Sequence, residues 1–393
     1  MKKKDFTLFL IAGAFMGISQ SIDSSTFNNF FNDVFHVTVT QRTLMELPRE
    51  FPGIMVVFVL GMLLFLGDIR IAFVANILSA LGMLAIGCLS KNFGITMLWV
   101  IVYSMGQHLL MPVQNSIGMK LAEEGEVGKI LGKINGLNTA AFLVTSIITA
   151  IVLRYVKLDY RVTFSIGAIA YMASAVLIFK MTPYKSESKI KKLFVKKEYS
   201  LFYYLSILNG ARKQIFITFG PWVLIKIFNQ GVSTFALLGF LTAGIGIFFK
   251  PYVGYLIDSM GERFVLTAEA LLLILVCTGY AFAKSIPETG SLTNTALYIT
   301  CACFVVDQLL TAATMARATY LKKIAVNSED ISPTLSMGIS MDHVVSMFIP
   351  WLGSLIWNAF GYEYVFIAGA CIAIMNFTLA MKIKIPMQKS VSV

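Results

Sequence analysis

Two adjacent cations, Arg212 and Lys213, lie inside a stretch otherwise built of Leu, Ile, Phe and Tyr, with Asn209 and Gln214 beside them. An ionised group in such a setting is costly unless it meets a carboxylate, an aqueous cavity or an anionic ligand. Acids in comparable settings are Asp23, Asp307 and Asp342, the last followed by His343. The bases suit a solute carrying an anionic group such as a carboxylate. The acids suit a proton carrier, and their presence keeps a zwitterionic solute open. Asp307 and Asp342 equally suit a structural task, neutralising Arg212 or Lys213, and the residues alone do not divide these roles.

Other polar groups fall in apolar stretches. Gln20 and Asp23 follow Gly13 and Gly17, with Gln20, Ser24 and the glycines on one helical face and Asp23 at its edge. Asp23 is a candidate solute contact or proton carrier, or the partner of a basic neighbour. Gln107 and His108 are adjacent; an imidazole titrates near physiological pH, but it also serves as a hydrogen-bonded packing group. Glu46, Arg49 and Glu50 are spaced i, i+3, i+4 and share a helix face. They read as a surface ion pair or an outer gate. Glu269 and Lys250 fall nearer the ends of their stretches and read as a structural pair or latch.

Enzymatic readings find little support. There is no H-E-x-x-H, G-x-S-x-G or G-x-x-x-x-G-K-[ST] pattern, and Ser186-x-x-Lys189 falls in a charged, solvated run. The five cysteines, Cys88, Cys277, Cys301, Cys303 and Cys371, all sit in apolar stretches, so packing is expected rather than disulfide, zinc or redox chemistry. No catalytic residue, metal or cofactor is assigned.

The elements that position these groups follow from composition. Of 393 residues, 57% are apolar and 13% charged, against roughly 25% charged in soluble domains. A water-soluble fold cannot hide that much apolar surface, so an all-α integral membrane protein is expected. A helix needs about 20 apolar residues to cross the hydrocarbon core. Hydropathy gives twelve such stretches, near 6–31, 44–66, 70–90, 95–117, 130–155, 160–180, 200–228, 233–257, 263–284, 296–320, 332–357 and 362–382. Between the sixth and seventh runs a polar segment bearing Lys185, Lys189, Lys191, Lys192, Lys196 and Lys197. The expected division is therefore a six-helix bundle over 1–181, a basic linker over 182–199, and a second bundle over 200–393.

The net charge of +11 fits this architecture. Basic residues collect in cytoplasmic loops and face anionic lipid; no patch for nucleic acid is evident. With both termini cytoplasmic, 20 Lys and Arg fall inside and 8 outside, the latter including Arg42 and Arg49, while Arg212, Lys213, Lys250 and Arg317 fall within spans. A bacterial inner (plasma) membrane location and a single copy are expected. Lys2, Lys3 and Lys4 precede the first apolar stretch, which reads as a retained span rather than a signal peptide.

The halves resemble each other. Gly106-Gln107-His108-Leu109-Leu110 aligns with Val306-Asp307-Gln308-Leu309-Leu310, and Leu131-Gly132 with Leu335-Ser336, which sets Asn138 opposite Asp342. Parallel repeats of this kind place a binding site near the midplane.

After the eighth span runs Gly254-Tyr255-Leu256-Ile257-Asp258-Ser259-Met260-Gly261-Glu262-Arg263. This resembles G-x-x-x-D-x-x-G-x-R, the signature loop of the major facilitator superfamily (MFS). The counterpart after the second span, Gly67-Asp68-Ile69-Arg70, keeps an acid and a base but not the matching glycines. The resemblance implies two pseudo-symmetric six-helix bundles that rock by alternating access. It also implies a cytoplasmic latch involving Asp68, Arg70, Gly254, Asp258, Gly261 and Arg263. Function follows as a secondary active transporter of a small organic solute, coupled to protons. Alternatives are a drug or metabolite–proton antiporter and a transporter-fold sensor. Many such antiporters carry Gly-Pro in the fifth span; here Gly128, Gly132 and Gly136 recur at four-residue spacing without proline, which reads as a small-residue packing seam.

Overall fold

The computed structural model describes residues 2–121, 127–156, 159–183, 195–286 and 294–384. Among them all regular structure is helical. The α-helices are α1 (Lys2–Phe35), α2 (Val39–Leu44), α3 (Glu46–Leu63), α4 (Gly67–Cys88), α5 (Phe93–Leu121), α6 (Val127–Tyr155), α7 (Tyr160–Phe179), α8 (Ser200–Lys226), α9 (Val232–Phe282), α10 (Thr295–Leu310), α11 (Thr314–Ile324), α12 (Ser328–Phe360) and α13 (Tyr362–Ala380). Nine helical stretches among the described residues are long and apolar enough to cross a membrane. The exterior carries Phe58, Met62, Phe65, Ile169, Phe248 and Leu275, all exposed, the surface that hydrocarbon solvates and water does not.

Three departures from the expected spans have local causes. The stretch expected over 44–66 is preceded by the short α2, which Thr38 caps through a capping box with Gln41; α3 starts anew at Glu46 and gives way to a 3₁₀ turn at Leu64–Leu66. The stretch over 296–320 is interrupted by a 3₁₀ turn at Thr311–Ala313, between Asp307 and Arg317. The eighth and ninth stretches are one continuous 51-residue helix by hydrogen bonding, but Gly261 within it has φ 84° and ψ 165°. Only glycine adopts that conformation without strain, so α9 consists of two arms hinged inside the signature loop. Of the stretches expected to span, α3 and α8 fall outside the nine; each carries charge in or beside its apolar run.

The chain divides into two compact units, Met1–Ile190 with Asn229–Gly244, and Lys191–Phe228 with Ile245–Val393. In the first, close helix packing depends on missing side chains. A Cβ at Gly82 would stand 2.5 Å from the Tyr103 backbone nitrogen, and one at Gly17 would collide with the Asn138 carbonyl. The expected seam in α6 is different. Gly132 and Gly136 are exposed and a Cβ at either would meet nothing within 4 Å, while the side-chain surroundings of position 128 lie outside the described residues. On the α1 side, Gly17 is the small residue that lets α6 approach.

The second unit is built around Tyr199 just before α8, Phe202 and Leu205 of α8, Ile257 and Leu266 of α9, Ala313, Ala316 and Leu321 near α11, and Ala380. Of the basic linker, Lys185, Lys189, Lys191 and Lys192, with Ser186, lie outside the described residues. Lys196 is described, and its Nζ lies 2.7 Å from Asp330 Oδ2, which also accepts from the Tyr199 hydroxyl at 2.8 Å. These bonds hold the Asp330 carboxyl below its usual value of 3.8. Cys277 is buried, whereas Cys88 and Cys371 are exposed rather than packed.

Candidate functional site

In the second unit, the charges singled out in the sequence are gathered into one hydrogen-bonded group. Arg212 on α8 donates from Nη1 to Asp307 Oδ1 on α10 and from Nη2 to Glu269 Oε1 on α9, both at 2.9 Å. The other Glu269 oxygen accepts from Arg317 Nη1 on α11 at 3.2 Å. Arg317 Nη2 donates to Asn209 Oδ1 at 2.6 Å and to Thr314 Oγ1 at 3.0 Å. Asn209 in turn donates from Nδ2 to Asp342 Oδ2 on α12 at 3.2 Å. Asp342 Oδ1 takes Lys213 Nζ at 2.6 Å and Ser346 Oγ at 3.2 Å.

The group has two zones. Arg212, Glu269, Asp307 and Arg317 have side chains no more than 5% exposed. Lys213 and Asp342 are 27% and 16% exposed. A charge pair removed from water needs all its partners in place, because losing one strands the other. The sealed zone is therefore poised to stay as it is, and the Lys213–Asp342 pair to exchange partners.

Of the alternatives open to Arg212, the acidic partner is the one found, since both its terminal nitrogens are engaged by carboxylates. One expectation is corrected here. Glu269 is not paired with Lys250 near a span end; it is buried and bridges two arginines, while Lys250 is exposed. The opposition of Asp307 and Asp342 to Arg212 and Lys213 is as the sequence allowed. His343 is half-buried on α12 beside Asp342.

The first unit holds a different polar set. Gln107 Nε2 donates to Ser79 Oγ and to the Tyr171 hydroxyl, both at 2.9 Å. Asp23 faces the Tyr103 hydroxyl, with the Arg49 guanidinium acting on it electrostatically. His108 Nδ1 lies 2.9 Å from the Ser104 carbonyl oxygen and 3.1 Å from its Oγ, so the ring is held against its own helix. Gln20 Oε1 and the Gly13 carbonyl accept from Asn138 Nδ2 at 3.4 and 3.0 Å. Asn138 thus ties α6 to α1, as Asp342 ties α12 to α8.

Glu46 is not at the surface. Its side chain and that of Arg42 are both fully buried and paired, and Arg49 Nη1 adds a contact to Glu46 at 3.1 Å. Arg42 also donates from Nε to Asn28 at 3.0 Å. Arg49 is partly exposed and sits 5.1 Å from the Phe27 ring centroid; Glu50 is buried. The motif is a folded ion cluster in which Arg42, assigned by sequence to the outer side, is buried together with Glu46 and Glu50.

The loop residues are dispersed. Asp68 accepts from Ser116 at 2.6 Å and lies 3.4 Å from Lys120 Nζ. Arg70 stands 4.4 Å from the Phe179 ring centroid. Gly254 is half-buried, and Asp258 and Arg263 are exposed, with Arg263 Nη2 3.7 Å from Met381 Sδ. In the Gly254–Arg263 loop it is Glu262, buried and 2.8 Å from Lys323 Nζ, that forms an ion pair.

Sequence reasoning passed over Glu269, Arg317, Tyr103 and Tyr171 as site members. For the first two a signal existed: the spans of the second half carry four cations, Arg212, Lys213, Lys250 and Arg317, against the two acids Asp307 and Asp342. No comparable signal marked the tyrosines, since an apolar helix accommodates Tyr without a partner.

A model of the Major Facilitator Superfamily matches residues 9–326. No curated protein matches the chain. Among solved structures, the nucleoside transporter NupG is similar at a TM-score of 0.77 and 12% identity, over 97% of this chain and 100% of that one. A D-xylose-proton symporter is similar at 0.72 and 12%, over 99% of each chain. A bacterial homologue of the human lysosomal transporter Spinster, inward-facing and occupied, is similar at 0.69 and 14%, over 95% of each. At such identities the likeness speaks for the fold alone. The family match covers well over half of the sequence, and the chain belongs to the major facilitator superfamily.

Proposed function

We propose that the protein moves a small organic solute, anionic or zwitterionic, across the membrane by alternating access, with protons as the coupling ion. The family and fold are those of transporters and not of enzymes, and the apolar helices make this an integral membrane protein. The observation that carries the solute class is the Lys213–Asp342 pair, at membrane depth and partly exposed. A solute with an anionic group can draw Lys213 away. Asp342 then needs either the solute's own cationic group or a proton, since a lone carboxylate there is costly. One residue pair thereby accounts for both zwitterion recognition and coupling of an anion to a proton.

The remaining parts of the reading accompany it. Twelve passes are obtained by counting the two arms of α9 separately and including α3 and α8. The two bundles are assigned to 1–181 and 200–393, both termini to the cytoplasm of a bacterial inner membrane, and the Asp68–Arg70 and Gly254–Arg263 loops to the latch that sets the conformational balance. A monomer suffices for this scheme.

The test is flux into proteoliposomes, screened with mixtures of amino acids, monocarboxylates and nucleosides, with and without an inward-acid pH gradient. Gradient-stimulated uptake that is lost in Lys213→Ala and made gradient-insensitive in Asp342→Asn supports the proposal. Uptake indifferent to the gradient and to both variants overturns it. Saturable binding with neither uptake nor counterflow would instead favour a sensor.

A further inference from the structure

The sealed and the exchangeable zones of the second unit touch through one uncharged side chain. Asn209 takes a hydrogen bond from Arg317 at its Oδ1 (2.6 Å) and gives one to Asp342 from its Nδ2 (3.2 Å). An amide has one acceptor end and one donor end. Because the guanidinium can only donate and the ionised carboxylate can only accept, both neighbours demand the same orientation of Asn209. Its two ends are filled by groups on α11 and α12, while the residue itself sits on α8 one turn from Arg212 and Lys213.

We propose that Asn209 is a positioning residue that couples the Lys213–Asp342 pair energetically to the buried Arg212–Glu269–Asp307–Arg317 group. The role rests on the solute-binding reading given above for that pair. When Asp342 changes partner, its Oδ2 remains held by Asn209 and its Oδ1 by Ser346. Lys213 is thus the member free to swing, while Asp342 stays tied to Asn209. Any displacement of Asp342 pulls on the amide, and the amide cannot turn without giving up Arg317. Arg317 then has Thr314 and Glu269 as its remaining partners, and Glu269 is shared with Arg212. Occupancy beside α8 and α12 is thereby transmitted to α9, α10 and α11 through bonds rather than through apolar packing.

Spatial intermediacy alone does not make a coupling; a measured non-additivity does. The test is a triple-mutant cycle in the thermal melting of the purified full chain, with no ligand added. Arg317→Lys keeps the charge but loses the fork that reaches Asn209, and Asp342→Asn removes the exchangeable acid. With Asn209 in place, the two Tm shifts are expected to be non-additive by ~2 °C or more. In the Asn209→Ala background they are expected to add. A purely structural Asn209 would lower every Tm by a constant amount and leave the non-additivity intact, which overturns the proposal. If Asp342→Asn melts too low because it strands Lys213, the pair-removing Lys213→Gln/Asp342→Asn variant replaces it in the cycle. Since no solute enters the measurement, failure of the transport reading leaves its outcome unaffected. Conversely, additivity with Asn209 present removes the coupling while leaving Lys213 and Asp342 as the proposed solute site.

Discussion

A methyl group added to Gly210 would stand 2.8 Å from the Asp342 backbone oxygen and 2.9 Å from its Oδ1. Backbone meets backbone at that point, so α8 and α12 approach closely where Asn209 and Lys213 reach for Asp342. In Gly210→Ala the helices must separate, at a cost of about 1–3 kcal/mol for overpacking. The expected result is a lower Tm together with loss of gradient-driven uptake. A variant that melts and transports like the wild type would show that the close approach is not needed.

Lys213 and Arg212 are neighbours in sequence but differ in their setting. Arg212→Ala leaves Glu269 and Asp307 short of a cation in a sealed region, a change that costs about 3–5 kcal/mol. Lys213→Ala leaves Asp342 with Asn209 and Ser346 and with partial access to water. Its melting loss is expected to be clearly the smaller of the two, while its loss of uptake is complete. Melting curves and flux measured side by side check this; equal destabilisation would contradict the division into zones.

Glu269 carries the same argument further. Glu269→Gln removes the acid shared by Arg212 and Arg317 and is expected to cost about 3–5 kcal/mol. Removing a cation as well, in Glu269→Gln/Arg317→Gln, restores the balance of charge and is expected to recover part of that loss. The double variant should melt above the single one.

Outside the spans, the Lys196–Asp330 clamp makes a prediction about pH. The hydrogen bond from Lys196 and that from Tyr199 lower the Asp330 pKa from 3.8. An acid whose folded value is depressed stabilises the fold above its unfolded value and loses that contribution as pH falls through the folded one. The clamp should therefore hold at neutral pH and release only as acid conditions pass below 3.8. Amide hydrogen exchange across residues 195–200 should rise in that window, and in Asp330→Asn it should already be high at neutral pH.

How far the sequence reached depends on which residues are considered. Arg212, Lys213, Asp307 and Asp342 were legible because charge in an apolar run has few explanations. Glu269 was not legible because its depth was inferred from distance to a span end, whereas its bonds to Arg212 and Arg317 depend on which helices lie against α9, which hydropathy does not report. The Glu46 cluster was taken for surface because i, i+3, i+4 spacing reports a shared face and not what lies against it. The glycines of α6 show the same limit, since a stripe of small residues does not reveal whether a neighbour occupies it.

The group in the second unit joins Arg212, Lys213 and Arg317 to Glu269, Asp307 and Asp342, so its formal charges cancel. Moving one elementary charge through a membrane potential of 100 mV involves about 2.3 kcal/mol. A group whose charges cancel feels no net force from that field. Its translation as a unit therefore displaces no net charge, and membrane voltage acts on it where the group turns or where Lys213 moves apart from Asp342. Any voltage dependence of flux would thus count the charge of the cargo and its protons together with the travel of Lys213, and not the bulk translation of this part of the carrier.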